Sequence, residues 1–169
     1  MPARIRLSVS RLVDGSGGQA LSNAALLIEG DRIAQVGGEA TVPRPEDCLE
    51  LTFPDATALP GLIDAHVHLT VSWEATREGT IERYVGETDG DQVARAAGTA
   101  ERMLRVGVTS AYSCGQRGAT SFAIRDAIAR GVILGPRLLV SGRPLTPTGG
   151  HCFWMGGEGW LSVAFTWPE

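Results

Sequence analysis

Two histidines separated by one residue, His66 and His68, are the side chains in this sequence best placed for chemistry. They close the stretch Ala58-Leu59-Pro60-Gly61-Leu62-Ile63-Asp64-Ala65-His66-Val67-His68-Leu69. Pro60-Gly61 supplies a turn, and Leu62-Ile63 open a segment that reads as a buried strand. Side chains alternate across a strand, so both imidazoles project to one side together with Asp64, while Ala65 and Val67 take the other. Imidazole is the commonest metal ligand in proteins, and a divalent ion lowers the pKa of bound water towards neutrality. A rigid pair of this kind is half of a transition-metal site. A bare pair also arises by accident, and here the turn, the strand and the acidic neighbour favour the metal reading. Asp64 is suited either to orienting a histidine from outside the ligand set or to capping backbone groups of the strand.

The third histidine, His151, ends the glycine-rich loop Thr146-Pro147-Thr148-Gly149-Gly150. Such loops after strands of parallel α/β folds collect ligand groups, although a structural loop histidine fits the same position. Cys48, Cys114 and Cys152 are odd in number and lack CxxC spacing. They read as free thiols that pack as small apolar groups. Trp73, Phe153 and Trp154 read as packing residues rather than substrate contacts.

The elements that must hold these residues follow from periodicity. Residues 4–10 alternate strictly, as in a half-buried strand. Residues 24–29 and 32–36 are apolar runs joined by Gly30-Asp31, a two-residue hairpin signal. Leu49 to Phe53 gives a fourth alternating strand, so residues 1–56 predict a small antiparallel β unit. Beyond His68 a polar loop carrying Trp73 and Tyr84 leads to Asp89-Gly90-Asp91, a helix N-cap region. Val93, Ala96, Ala97, Ala100, Met103 and Leu104 then form a helical stripe, with Gly107 at the position of a C-terminal glycine cap. A strand over 108–112, a helix capped by Thr120 or Ser121 and stopped at Gly131, and a buried strand over 137–141 complete a β-α-β-α-β order. That order predicts a parallel sheet over residues 57–169. The tail from Gly159 to Glu169 has no cap and no period.

The chain has 169 residues and a net charge of −4, with 43% apolar and 20% charged residues. This balance excludes wholesale disorder, and without a basic run it gives no nucleic-acid footprint. No segment resembles a signal peptide or approaches the ~20 apolar residues of a membrane span, so a soluble, cytoplasmic protein is expected.

The stretch Leu59 to His68 resembles the first-strand signature of the amidohydrolase superfamily of metal-dependent hydrolases. The preceding β unit resembles that superfamily's amino-terminal β-sandwich, and Gly107-Val108-Thr109 its second strand. Residues 131–157 resemble the branch of imidazolonepropionase-like amidohydrolases and Xaa-Pro dipeptidases. The resemblance implies an α/β fold, with a small sandwich-like unit followed by a (β/α)8 TIM barrel carrying one or two divalent ions, usually Zn2+. It implies that His66 and His68 are metal ligands, that His151 borders the substrate, and that metal-activated water attacks an amide, lactam or dipeptide C–N bond.

A barrel of this type needs about 250 residues, and only the first three β/α units are expected here. The family's bridging lysine, later histidines and aspartate have no counterpart, since the sequence contains no lysine and no histidine after His151. No catalytic base is therefore expected within this chain. The leading expectation is an amino-terminal fragment of a truncated amidohydrolase, inactive alone and prone to self-association through an open sheet edge. The rivals are a catalytically inactive remnant serving as a binding module, and an unrelated α/β protein with a coincidental histidine pair.

Overall fold

The computed structural model describes residues 4–146, 150 and 152–156. The chain divides into two compact units, Met1–Pro60 and Gly61–Glu169. The first is one four-stranded sheet of order β3-β2-β1-β4, with β1 at Arg4–Leu12, β2 at Leu21–Glu29, β3 at Arg32–Gly38 and β4 at Leu49–Ala58. Gly30 adopts a φ of 62°, which the tight turn between Glu29 and Arg32 requires and which costs glycine no steric strain.

This sheet departs from an antiparallel unit at one strand. β4 runs parallel to β1, with Ile5 opposite Leu49 and Val9 opposite Phe53. The chain leaves β3 at one edge and must reach the far edge of β1, so the segment after Gly38 acts as a crossover instead of a hairpin. That crossover also decides which face is covered. Arg6 and Ser8 are buried beneath it, with Arg6 Nη1 donating to Ser8 Oγ at 2.8 Å and Nη2 to the Glu39 carbonyl at 2.7 Å. On the opposite face Val9, Leu12 and Ala24 are buried, but Leu49, Leu51, Phe53 and Ile33 stay exposed.

The second unit holds a three-stranded parallel sheet of order β5-β6-β7, comprising Leu62–Val67, Val108–Ser113 and Arg137–Val140. Helices α1 (Arg77–Gly86) and α2 (Asp89–Arg105) follow β5, and α3 (Thr120–Ala129) follows β6. The apolar stripe of α2 meets the sheet as its spacing requires: Ala96 and Met103 join Leu69, Ala111, Ile124 and Leu138 in one core, with Val93 and Ala97 packed against it. Gly107 closes the helix at a φ of 87°, the left-handed conformation expected of a C-terminal glycine.

Three local expectations need correction. The segment before α2 contains a helix, α1, which polar composition conceals; Thr76 caps it by accepting the Gly79 N–H, and the buried ring of Tyr84 anchors it. The cap of α2 is Thr88, one residue earlier than the acidic pair, and Asp91 closes a capping box with it. Helix α3 has no side-chain cap, because the Thr120 hydroxyl donates instead to the Arg117 carbonyl at 2.7 Å.

β5 and β7 also differ from buried strands. Ile63 is 75% exposed and Leu139 67% exposed, whereas Leu138 is buried. Helices cover one face of this short sheet, and among the described residues nothing covers the other. Continuous apolar runs suit strands covered on both faces, and here only one side is filled.

Backbone approach sets the sharpest constraint at the start of β5. A Cβ built on Gly61 would lie 2.0 Å from Thr109 Oγ1. Gly61→Ala is expected to cost about 1–3 kcal/mol through overpacking, and Thr88→Ala about 1 kcal/mol through loss of the cap. Urea unfolding followed by circular dichroism measures both, and wild-type midpoints in both variants would contradict these packing assignments.

Candidate metal half-site

Pairing with β6 holds the carboxyl end of β5. The Leu62 N–H donates to the Gly107 carbonyl at 2.8 Å, and the Cys114 N–H donates to the Val67 carbonyl at 2.8 Å. Beyond Val67 the chain turns at once, with the His68 carbonyl accepting the Val71 N–H at 3.1 Å. His66 and His68 therefore leave the sheet at the end of a fixed strand. Their rings meet edge to face, with centroids 5.1 Å apart and an interplanar angle of 85°.

The decisive distance is between the two ring nitrogens. His66 Nε2 and His68 Nε2 lie 3.3 Å apart. Two Zn–N bonds of about 2.0–2.1 Å at a tetrahedral angle place their nitrogens about 3.3 Å apart. That separation equals one edge of a tetrahedral ligand shell, and it is also the length of a hydrogen bond from one ring to the other, with donor and acceptor set by the tautomer. Among the described residues no group of three or more His, Cys, Asp or Glu side chains gathers to complete it. The residues fit half of a metal site.

Of the two roles open to Asp64, the structure displays the backbone one: Oδ1 accepts the His66 N–H at 3.1 Å. Cys114, absent from the candidates read in the sequence, lies at the end of β6. Burial, and then the negative charge of Asp64, push its thiol above the ordinary range, so it is protonated at neutral pH. No spacing pattern marks this neighbour; only the register of two parallel strands brings it near.

Sequence reasoning also missed a polar cluster near Tyr84. The Tyr84 hydroxyl accepts the Arg117 N–H at 2.8 Å, and burial chiefly raises its pKa. The Arg117 side chain donates to Asp89 Oδ1 at 2.9 Å and to the Tyr84 and Glu87 carbonyls, while Arg95 pairs with Glu87. These contacts lock the loops around α1 and bring no unpaired nucleophile to the histidines. Their partners are largely main-chain carbonyls, which carry no sequence signal.

The remaining candidates separate cleanly. Trp154 packs edge-on against Tyr84 at 5.2 Å, and Cys152 joins the same apolar cluster, both as expected of packing residues. Trp73 is 70% exposed, so its ring does not pack as expected. His151 and the tail beyond Gly156 lie outside the described residues.

Residues 57–158 match the Amidohydrolase family, a span that includes the histidine pair and all three parallel strands. The chain belongs to the amidohydrolase family. It is 28% identical over 158 residues to ochratoxinase of Aspergillus niger, covering 88% of this chain and 30% of that protein. It is 37% identical over 92 residues to an imidazolonepropionase of Cereibacter sphaeroides, covering 54% of this chain and 22% of the relative. Among solved structures, a Xaa-Pro dipeptidase with methionine bound in its active site superposes with a TM-score of 0.78 at 25% identity, over 98% of this chain and 39% of that one. The ochratoxinase structure gives a TM-score of 0.71 at 28% identity, over 88% and 33% respectively. This amidohydrolase chain spans less than a third of the curated relatives it matches.

The electrostatics around Cys114 can be checked directly. Asp64→Asn removes a negative charge that disfavours the thiolate, so the Cys114 pKa should fall while staying above the ordinary value because burial persists. Iodoacetamide labelling against pH, read on the Cys114 peptide by mass spectrometry, should show its midpoint move to lower pH. A midpoint that stays or rises would contradict the assignment.

Proposed function

We propose that this chain carries the first half of the metal centre of a Zn2+-dependent hydrolase acting on C–N bonds of amide, lactam or dipeptide substrates. The 3.3 Å convergence of His66 Nε2 and His68 Nε2 at the end of the first parallel strand carries the reading, within a family match that includes that strand. The histidines hold the ion in their neutral forms, because protonation would block both nitrogens. Asp64 fixes the backbone from which His66 projects. The bound ion supplies Lewis acidity towards a carbonyl and lowers the pKa of coordinated water. His151 is assigned a substrate-side role on sequence resemblance alone.

The described residues supply binding geometry, and the proposal assigns no catalytic base among them. Asp64 Oδ1 holds the His66 backbone N–H, and burial and the charge of Asp64 raise the pKa of the Cys114 thiol. Turnover then requires polypeptide corresponding to the rest of the relatives' length. The three free thiols, Cys48, Cys114 and Cys152, suit the reducing cytoplasm. No described helix is long and apolar enough to cross a membrane.

A second reading, a catalytically inactive remnant that acts as a binding module, is favoured by the absence of a third ligand among the described residues. The uncovered apolar residues Ile63 and Leu139 also favour it. They support self-association through the open parallel sheet.

Zinc titration by calorimetry separates the readings. The proposal expects one weak site per chain, with affinity reduced at least about tenfold in His66→Ala. Zinc binding unchanged by that substitution would overturn it. Dipeptide and lactam hydrolysis by the isolated chain is expected to be absent with zinc present, and chelator-sensitive turnover would contradict the missing base. Size-exclusion chromatography should show species larger than a monomer, and a concentration-independent monomer would remove the self-association proposal.

A further inference from the structure

The turn after β5 is tied to β6 by a buried hydroxyl. Ser113, the last residue of β6, is fully buried, as is Gln116 three residues later. Ser113 Oγ accepts the Leu69 N–H at 3.4 Å and the Gln116 side-chain amide Nε2 at 2.6 Å. The first bond is long and falls on the residue directly after His68. The second is short and fixes where the hydroxyl sits. Gln116 is itself anchored, since its N–H donates to the Gly142 carbonyl beyond β7 at 3.0 Å. The Ser113 carbonyl accepts the Ser141 N–H at 3.1 Å. The carboxyl ends of all three parallel strands therefore meet at Ser113.

We infer that Ser113, held by Gln116, is a positioning residue for the histidine pair: its hydroxyl sets the backbone after His68 and thereby the 3.3 Å approach of the two imidazoles. The Val67 carbonyl is already fixed by the Cys114 N–H, but that bond precedes His68. The Val71 N–H to His68 carbonyl bond is internal to the turn and cannot place the turn relative to β6. The Leu69–Ser113 contact spans that gap. Leu69 is 2% exposed, so its N–H has no recourse to bulk water, and loss of the hydroxyl would leave a buried donor unsatisfied. Loss of that bond removes the tie from β6 to the residue directly after His68, while His66 stays on the strand. Metal affinity depends steeply on such outer partners.

The inference rests on the metal reading proposed above, and the test separates the two. The probe is Zn2+ binding to the full 169-residue chain, compared among wild type, Ser113→Ala, Gln116→Ala and Ser141→Ala. Ser141→Ala is the structural control, because its hydroxyl accepts the Gly115 N–H at 2.7 Å and donates to the Ser113 carbonyl at 3.5 Å, yet touches neither the Ser113 hydroxyl nor β5. Ser113→Ala is expected to weaken zinc about tenfold, Gln116→Ala by less, and Ser141→Ala not at all, even if thermal melts show all three destabilised. Equal zinc affinity in Ser113→Ala and wild type, or equal loss in Ser113→Ala and Ser141→Ala, would overturn the positioning role. A second readout needs no metal. In NMR spectra of the zinc-free chain, Ser113→Ala should speed exchange of the Leu69 amide and shift the His68 ring resonances, with Ser141→Ala leaving both in place. Unmoved His68 resonances in Ser113→Ala would overturn the inference. Failure of wild-type protein to bind zinc, with the NMR shifts observed, would instead remove the metal reading and leave the positioning role standing.

Discussion

Parallel pairing of β5 with β6 is the constraint on which the candidate site depends. Isolated imidazoles one residue apart on a flexible chain have no fixed separation, and binding a metal would first have to order them. Here the Gly107 carbonyl grips the start of β5 and the Cys114 amide grips its end. Past the register shift between Asp64 and Val67, the end of β5 and the turn after it bring the two rings together, with His66 Nε2 and His68 Nε2 3.3 Å apart. The core beneath, built from Leu69, Ala96, Met103, Ala111, Ile124 and Leu138, holds the sheet against α2 and α3. Preorganisation of this kind replaces an entropic cost at the moment of binding with one met during folding.

The same sheet also leaves apolar residues uncovered. A parallel strand is stable when both of its faces are covered, yet Ile63 and Leu139 are exposed. The helices fill one side only. The chain spans 39% of the Xaa-Pro dipeptidase chain with which it superposes.

Much of this was legible in the sequence, for identifiable reasons. The α2 stripe and Gly107 announced themselves because a 3.6-residue period and a left-handed cap are local properties. The histidine pair was legible because period-two alternation needs no tertiary knowledge. Other features were not local. The parallel direction of β4 follows from a crossover whose path no residue in residues 39–48 specifies. Helix α1 is polar along most of its length and is held by Tyr84 against Trp154, a contact between segments far apart in sequence. Cys114 and Ser113 became neighbours of the site only through the β5–β6 register, and Asp64 was legible as relevant but not in which of its two roles.

The proposed metal centre requires folding alone to set His66 and His68 as one edge of a metal's ligand shell. Anomalous diffraction at the zinc edge, from crystals of the chain grown or soaked with Zn2+, tests it most directly. The expected result is an anomalous peak within bonding distance, about 2.0–2.1 Å, of both His66 Nε2 and His68 Nε2, with the two rings still meeting edge to face. A peak bound to one histidine alone, rings that must rotate apart to admit the ion, or zinc held only at other residues would contradict it.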